Sequence, residues 1–354
     1  MKKKLSALLC AVMAFSLMAG CVKEVPPAAD PVMPEDPEVV EPAPETPEQP
    51  EEPDGVEPIN FAVLSGPTGV GAAKLLNQIE QGETLLTYNY SVSANNDEIT
   101  PALINGTLDI AAVATNLAAN LNAKTEGGVQ VLCLNTLGVL YILEKGDTVH
   151  EMADLKGKTL YAPANTKGAN PEHILNHLLT ENGVEPEEVD IQWIPAQEIT
   201  AKMTTEDAGI CMLPVPAATA VLVKDANVRQ AISLSDAWEE LEDSSLPMGC
   251  IVARTEFVEN NPEAVEVFLQ EYEQSIAFVS DEANRAEAAE MVASYGITAN
   301  AAIATKAIPQ CNLTFVSGNE MKDALQDYYQ ILFQTNPASI GGAMPYDAFY
   351  YGAE

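Results

Sequence analysis

From residue 59 onward the chain alternates short apolar runs with amphipathic stretches, and this rhythm constrains its fold more than any other feature. The run 59–64 stops at Ser65-Gly66-Pro67, and a helical pattern follows through Ala72, Leu75, Leu76 and Ile79. Strand-like runs at 85–92, 108–113 and 129–134 are separated by helical stretches at 97–105 and 116–123. After an apolar stretch at 137–143 the rhythm restarts, with strands near 159–162, 189–193, 209–213 and 228–232 and helices near 171–181, 199–203 and 217–223. A further strand is read at 248–253. From Asn261 the pattern is mostly helical, with Val265, Phe268, Leu269, Tyr272 and Ile276 on one stripe and later helices near 282–294, 299–307 and 319–333. Strands of this length alternating with helices of 8–12 residues imply α/β architecture with parallel sheets. Two such runs predict two lobes, each a mostly parallel sheet flanked by helices. Lobe one takes 59–143 and 248–354, lobe two takes 144–247, and a ligand cleft lies between them.

The first 58 residues read differently. Lys2, Lys3 and Lys4 precede an apolar stretch from Leu5 to Met18, too short for a comfortable membrane span. It ends in Leu17-Met18-Ala19-Gly20-Cys21, which resembles a bacterial lipobox. Residues 1–20 are therefore expected to be a lipoprotein signal peptide, and Cys21 the lipidated mature N-terminus held in the bilayer. Eleven of the 37 residues in 22–58 are Pro, interleaved with Glu. Proline removes backbone donors and like charges repel, so 21–58 is expected to be an extended, disordered tether. The working domain is then expected on the outer face of the cell membrane.

The formal net charge of −35 divides along the same lines: +3 in residues 1–20, −11 in 22–58 and −27 in the body. A body this acidic repels nucleic-acid phosphate and anionic headgroups, which excludes a nucleic-acid partner. Of the six cysteines, Cys133, Cys211, Cys250 and Cys311 fall in the body; most read as buried thiols, and no CxxC pair is present.

Three segments carry a family resemblance. Asn105-Gly106-Thr107-Leu108-Asp109-Ile110-Ala111, Asp154-Leu155-Lys156-Gly157-Lys158-Thr159 and Asn261-Pro262-Glu263-Ala264-Val265 are similar, in order and spacing, to motifs of extracellular solute-binding proteins of ABC transporters. The resemblance is to the nitrate, sulfonate, taurine and thiamine-precursor binding group. Ile340-Gly341-Gly342 and the Pro345–Tyr351 tail are similar to lipoprotein members. It implies the type II periplasmic-binding-protein fold, no enzymatic activity, no cofactor, a single-chain receptor and an ABC permease as partner. The motifs also have plain local roles: Gly106 as a helix cap, Lys156-Gly157-Lys158 as a turn, and Asn261-Pro262 as a helix start.

In parallel sheets ligands lie beyond the carboxyl ends of strands. That rule selects Ser65, Gly66, Pro67 and Thr68 after the first strand, and Thr115 and Asn116 after the third. It selects Asn165, Thr166, Lys167 and Gly168 after the first strand of lobe two, and Pro214 and Val215 after 209–213. Thr136 sits at the first crossing. Gly66 to Gly71 begins like a phosphate-binding loop, but Ala72 and Ala73 stand where Lys and Ser/Thr are required. The glycines are expected to allow close approach to a ligand or tight helix–sheet packing. His173 and His177 share a helix face; with Glu172 or Glu181 they make a metal site conceivable, although the apolar stripe of that helix leaves them towards the surface. No metal and no catalytic residue is assigned. The pyrimidine-forming relatives use a cysteine-rich motif, and this chain has no adjacent cysteines. Scarce arginine tilts the ligand towards a neutral, cationic or heteroaromatic solute. A sensing or surface lipoprotein without transport, and an enzyme on the same fold, are the alternatives.

Overall fold

A computed structural model describes residues 57–354 apart from Asn95, with the side chain of Asp97 also left aside. The expected signal peptide, Cys21 and nearly all of the tether lie outside the described residues. The strands are β1 (Ile59–Leu64), β2 (Tyr88–Ser93), β3 (Ile110–Ala114), β4 (Val129–Thr136), β5 (Leu140–Lys145), β6 (Thr159–Pro163), β7 (Asp190–Ile194), β8 (Gly209–Pro214), β9 (Val228–Ser233), β10 (Gly249–Arg254) and β11 (Leu313–Val316). The first half contributes helices α1 (Pro67–Val70), α2 (Ala73–Gln81), α3 (Asn96–Ile104), α4 (Thr115–Lys124), α5 (Asn170–Glu181) and α6 (Ala196–Thr205). The second half contributes α7 (Ala217–Lys224), α8 (Leu234–Glu242), α9 (Thr255–Asn260), α10 (Pro262–Ser280), α11 (Arg285–Ser294), α12 (Ala301–Ala307) and α13 (Gly318–Thr335).

The strands form two sheets, ordered β11-β4-β10-β3-β1-β2 and β7-β6-β8-β5-β9. Following the pairings, β1 to β4 run one way in the first sheet, and β10 and β11 run against them. In the second sheet β6 to β9 share a direction and β5 alone opposes it. The reversed strands β5 and β10 are the two that have just crossed from the other sheet. A strand arriving from the cleft side must run away from it, whereas the resident strands end at the cleft. The first crossing falls at 137–139, because β5 already belongs to the second sheet. That is a few residues ahead of the 143/144 division read from sequence.

Central strands are apolar on both faces, as strands covered by helices on two sides must be; Ile110 to Val113 are wholly buried. Edge strand β2 (Tyr-Asn-Tyr-Ser-Val-Ser) instead alternates, with polar side chains outward. The C-terminal helix α10 returns to sheet one. Phe61 of β1 meets Phe268 edge-to-face at 5.3 Å, and Phe268 stacks on Tyr272 at 5.7 Å. Such pairs add about 0.5–1.5 kcal/mol beyond their area burial. Ser275 Oγ donates to Gly71 O at 2.6 Å and accepts from Leu75 N at 3.0 Å, fastening α10 to α2.

Helices α8 and α9, the short α1 and strand β11 escape the sequence pattern. Helix α8 is short and charge-rich, with Leu234, Ser235 and Trp238 as its buried residues; Ser233 caps it by accepting from Asp236 N at 3.2 Å. Strand β11 is four half-buried residues at a sheet edge. The phosphate-loop look-alike folds as α1. A Cβ on Gly69 would lie 2.1 Å from Leu64 O, so this glycine serves helix–strand packing. Lys74 points to the Phe278 ring, 4.9 Å away. The four body cysteines are buried free thiols. Cys211 lies in β8 and Cys250 in β10, on different sheets, and they do not meet.

Candidate functional site

A cavity of about 540 Å³ opens between the two sheets, at the ends where the resident strands stop. Of the thirteen positions selected from sequence, seven line it: Pro67, Thr68, Asn116, Asn165, Thr166, Gly168 and Pro214. The other six stand behind or beside it. Ser65 N–H donates to Ser93 O and Gly66 N–H to Ile297 O, which fixes the turn that delivers Pro67. Thr115 is fully buried; its hydroxyl donates to Pro247 O at 2.9 Å and accepts from Asn170 Nδ2 at 3.3 Å. Thr136 is buried beside Gly249, where a Cβ would come within 2.5 Å of both Thr68 Cγ2 and Asn135 Oδ1. Val215 is buried with its N–H on Val139 O. Lys167 is exposed on the loop.

The rest of the lining comes from places the loop rule does not reach. Helix α4 contributes Asn116, Asn120 and Lys124, spaced four apart on one face. The 3₁₀ turn Pro337–Ile340 after α13 contributes Ala338 and Ser339. Helix α5 contributes Asn170 and His173. Asn116 Nδ2 and Asn120 Nδ2 both donate to Ser339 O, at 3.4 and 2.5 Å. The Ser339 hydroxyl has no hydrogen-bond partner although the residue is only 4% exposed.

Asn170 joins the two halves. It begins α5 on sheet two, yet its Nδ2 donates to Thr115 and its Oδ1 accepts from the Tyr328 hydroxyl of α13. Tyr329 OH donates to Thr115 O at 2.7 Å. Behind it Tyr328 packs on Trp238 of α8 at 5.6 Å, and Trp238 on His177 at 5.2 Å.

The histidine pair is buried, not superficial as its helix stripe implied. His173 and His177 are 8% and 7% exposed, because α5 is covered on its histidine side as well as its leucine side. His177 Nε2 lies 2.6 Å from Glu242 Oε1. Burial pulls the His173 imidazole below its ordinary value against the opposing influence of Glu172 and the Gly168 backbone. Among the described residues no group of three or more His, Cys, Asp or Glu is placed to hold a metal ion. Among the described lining residues Lys124 is the only basic side chain apart from His173, it is exposed, and no carboxylate appears. A cationic solute, one of the classes suggested by composition, therefore meets no counter-charge from them.

Two mixed sheets joined by two crossings around a cleft define the type II periplasmic-binding-protein fold. The sequence profile of the NMT1/THI5-like family matches residues 93–286, more than half of the chain, and the chain belongs to that family. No curated protein sequence matches significantly. Among solved structures, an ABC transporter protein from Parabacteroides distasonis is 22% identical with a TM-score of 0.69, covering 83% of this chain and 98% of that one. The periplasmic aliphatic sulphonate binding protein SsuA from Escherichia coli is 15% identical with a TM-score of 0.66, covering 80% and 94%. The periplasmic nitrate-binding protein NrtA from Synechocystis is 15% identical with a TM-score of 0.51, covering 68% and 66%. Among the described residues no helix is long and apolar enough to cross a membrane.

Proposed function

We propose that the protein is an extracytoplasmic receptor that encloses a small solute between its lobes and passes it to the permease of an ABC import system, without chemical turnover. The observation that carries this reading is the 540 Å³ cavity at the carboxyl ends of strands from both sheets, in a chain of the NMT1/THI5-like family. Structural neighbours described as sulphonate- and nitrate-binding proteins support it. Lobe one is taken as 59–139 and 248–354 and lobe two as 140–247, which moves the boundary read from sequence so that β5 stays with the sheet it pairs in. The ligand contacts come from the seven lining positions above, with Thr115, Thr136 and the other neighbours as supports. Residues 1–20 direct export, Cys21 carries the lipid, and the Pro/Glu tether holds a monomeric receptor off the bilayer.

Thermal unfolding of the purified protein against a metabolite library tests the receptor reading. A saturable rise in Tm with one chemical class, without consumption of the compound, is expected, since stabilisation follows RT ln(1 + [L]/Kd). A library that gives no shift would sink it. For the anchor, the protein is expected in the membrane fraction, and Cys21→Ser to release it.

A further inference from the structure

The α4 wall of the cavity has a fixed polarity. Ser339 O is a carbonyl and can only accept, so an amide facing it must turn its NH₂ inward. Asn116 and Asn120 both do so, and Asn120 Nδ2 is pinned again by Asn116 O at 3.0 Å. The orientation of each side chain is thereby set by chemistry. What remains for the cavity is each Oδ1, which accepts no hydrogen bond among the described residues. The two sit one turn apart, about 6 Å along the helix. The unpartnered Ser339 hydroxyl lies beside them.

Some of the features that usually draw an anion are weak or already engaged. Thr115 N–H, at the start of α4, donates to Met248 O. Gly168 N–H, before α5, donates to the Glu172 carboxylate. Burial disfavours the charged form of His173. Lys124, next on the α4 face, is exposed at the rim, where water screens it and where it repels an ammonium group.

Resting on the receptor reading, we propose that Asn116 and Asn120 are the specificity-determining residues of this cavity. They select an uncharged solute that presents N–H or O–H donors, and they reject acceptor-only anions. A nitrate or sulfonate sets lone pairs against both Asn oxygens and finds on this wall only the second Asn116 N–H and the Ser339 hydroxyl as donors. A primary amide or amino-heterocycle has two N–H donors to offer these oxygens, and a lactam has one.

The test uses the purified protein with two sets of probes in thermal unfolding and calorimetric titration. The uncharged set is a library of amides, lactams and amino-heterocycles, including nicotinamide, cytosine and 2-pyrrolidinone. The anionic set is nitrate, methanesulfonate and benzenesulfonate. Saturable binding within the first set alone is expected, weakened about tenfold in Asn116→Leu and in Asn120→Leu while the Tm of each ligand-free variant stays near that of the wild type. If a variant unfolds, Ser339→Ala serves in its place, with a smaller loss of about threefold expected. Saturable binding of the anions alone overturns this inference and leaves the receptor reading standing. Binding of uncharged probes that both Leu variants retain unchanged also overturns it. A flat response to both sets overturns both.

Discussion

Gly138 sits in the first crossing, pressed against the start of α8, and its replacement by Ala gives a stringent test of how the crossings are packed. A Cβ there would lie 1.9 Å from Ser235 Oγ, 2.7 Å from Ser235 Cβ and 3.3 Å from Leu246 Cδ2. Rotating Ser235 removes the first conflict only. Its Cβ is fixed to the α8 backbone, and carbon atoms prefer about 3.5–4.0 Å, so the helix or the crossing must shift by roughly 1 Å. Overpacking of this kind costs about 1–3 kcal/mol. At about 2.1 cal/mol/K per residue, a body of about 300 residues loses about 2–5 °C in Tm. The Ser235 hydroxyl has no hydrogen-bond partner, so its removal forfeits no bond. Ser235→Gly alone should cost about 0.5 kcal/mol from helix propensity and should restore room for the alanine. Urea unfolding of the four members of this cycle is expected to give a coupling energy of at least about 1 kcal/mol. If Gly138→Ala unfolds within about 0.3 kcal/mol of the wild type, or if the two changes simply add, the packing argument is wrong.

Other outcomes follow from buried groups. Burial opposes ionisation of Glu144, but the Thr148 hydroxyl and amide, the Val149 amide and Arg229 outweigh it and hold its carboxyl below the ordinary range. A carboxyl lowered on folding contributes stability above its unfolded value, and that stability fades as pH falls through the folded value. Glu144→Gln should therefore cost about 1–3 kcal/mol at pH 7, and urea midpoints of mutant and wild type should converge as pH falls below the ordinary glutamate range. Tyr328→Phe leaves Asn170 Oδ1 buried without its donor, a cost of about 1–3 kcal/mol; hydrogen exchange across 170–181 should quicken, and unchanged protection would refute the latch. Burial pushes the Cys211 and Cys311 thiols up to about 12 and raises those of Cys133 and Cys250 as well. A thiol reagent should label the body only as fast as it unfolds.

The two-lobed fold could be read because it is written in local periods. Apolar runs of five or six residues stop at Gly and Pro, and amphipathic stretches such as 171–181 end at Asn182-Gly183, where Gly183 takes a φ of +75°. Helix α8 and strand β11 were missed because each owes its place to partners far away: Trp238 to Tyr328, and β11 to β4. The site divides on the same line. Loops at strand ends announce themselves, so Thr68, Asn116 and Thr166 were found. Asn120 and Ser339 are 219 residues apart and meet only in three dimensions. The one local hint was the four-residue spacing of Asn116, Asn120 and Lys124. The histidines misled because a leucine stripe identifies one buried face and says nothing about whether the opposite face is covered too.

The position of β10 has a consequence for how the molecule comes into being. Strands β3 and β4 are neighbours in sequence, but β10 lies between them, and it begins more than a hundred residues after β4 ends. The centre of the first sheet therefore stays empty until the whole second lobe has emerged. Contacts of such long range form slowly, and a chain halted before residue 254 exposes two raw strand edges facing one another. This late keystone leaves the first sheet open until β10 is available to pair with β3 and β4. The centre of that sheet locks once residues 249–254 can enter between β3 and β4.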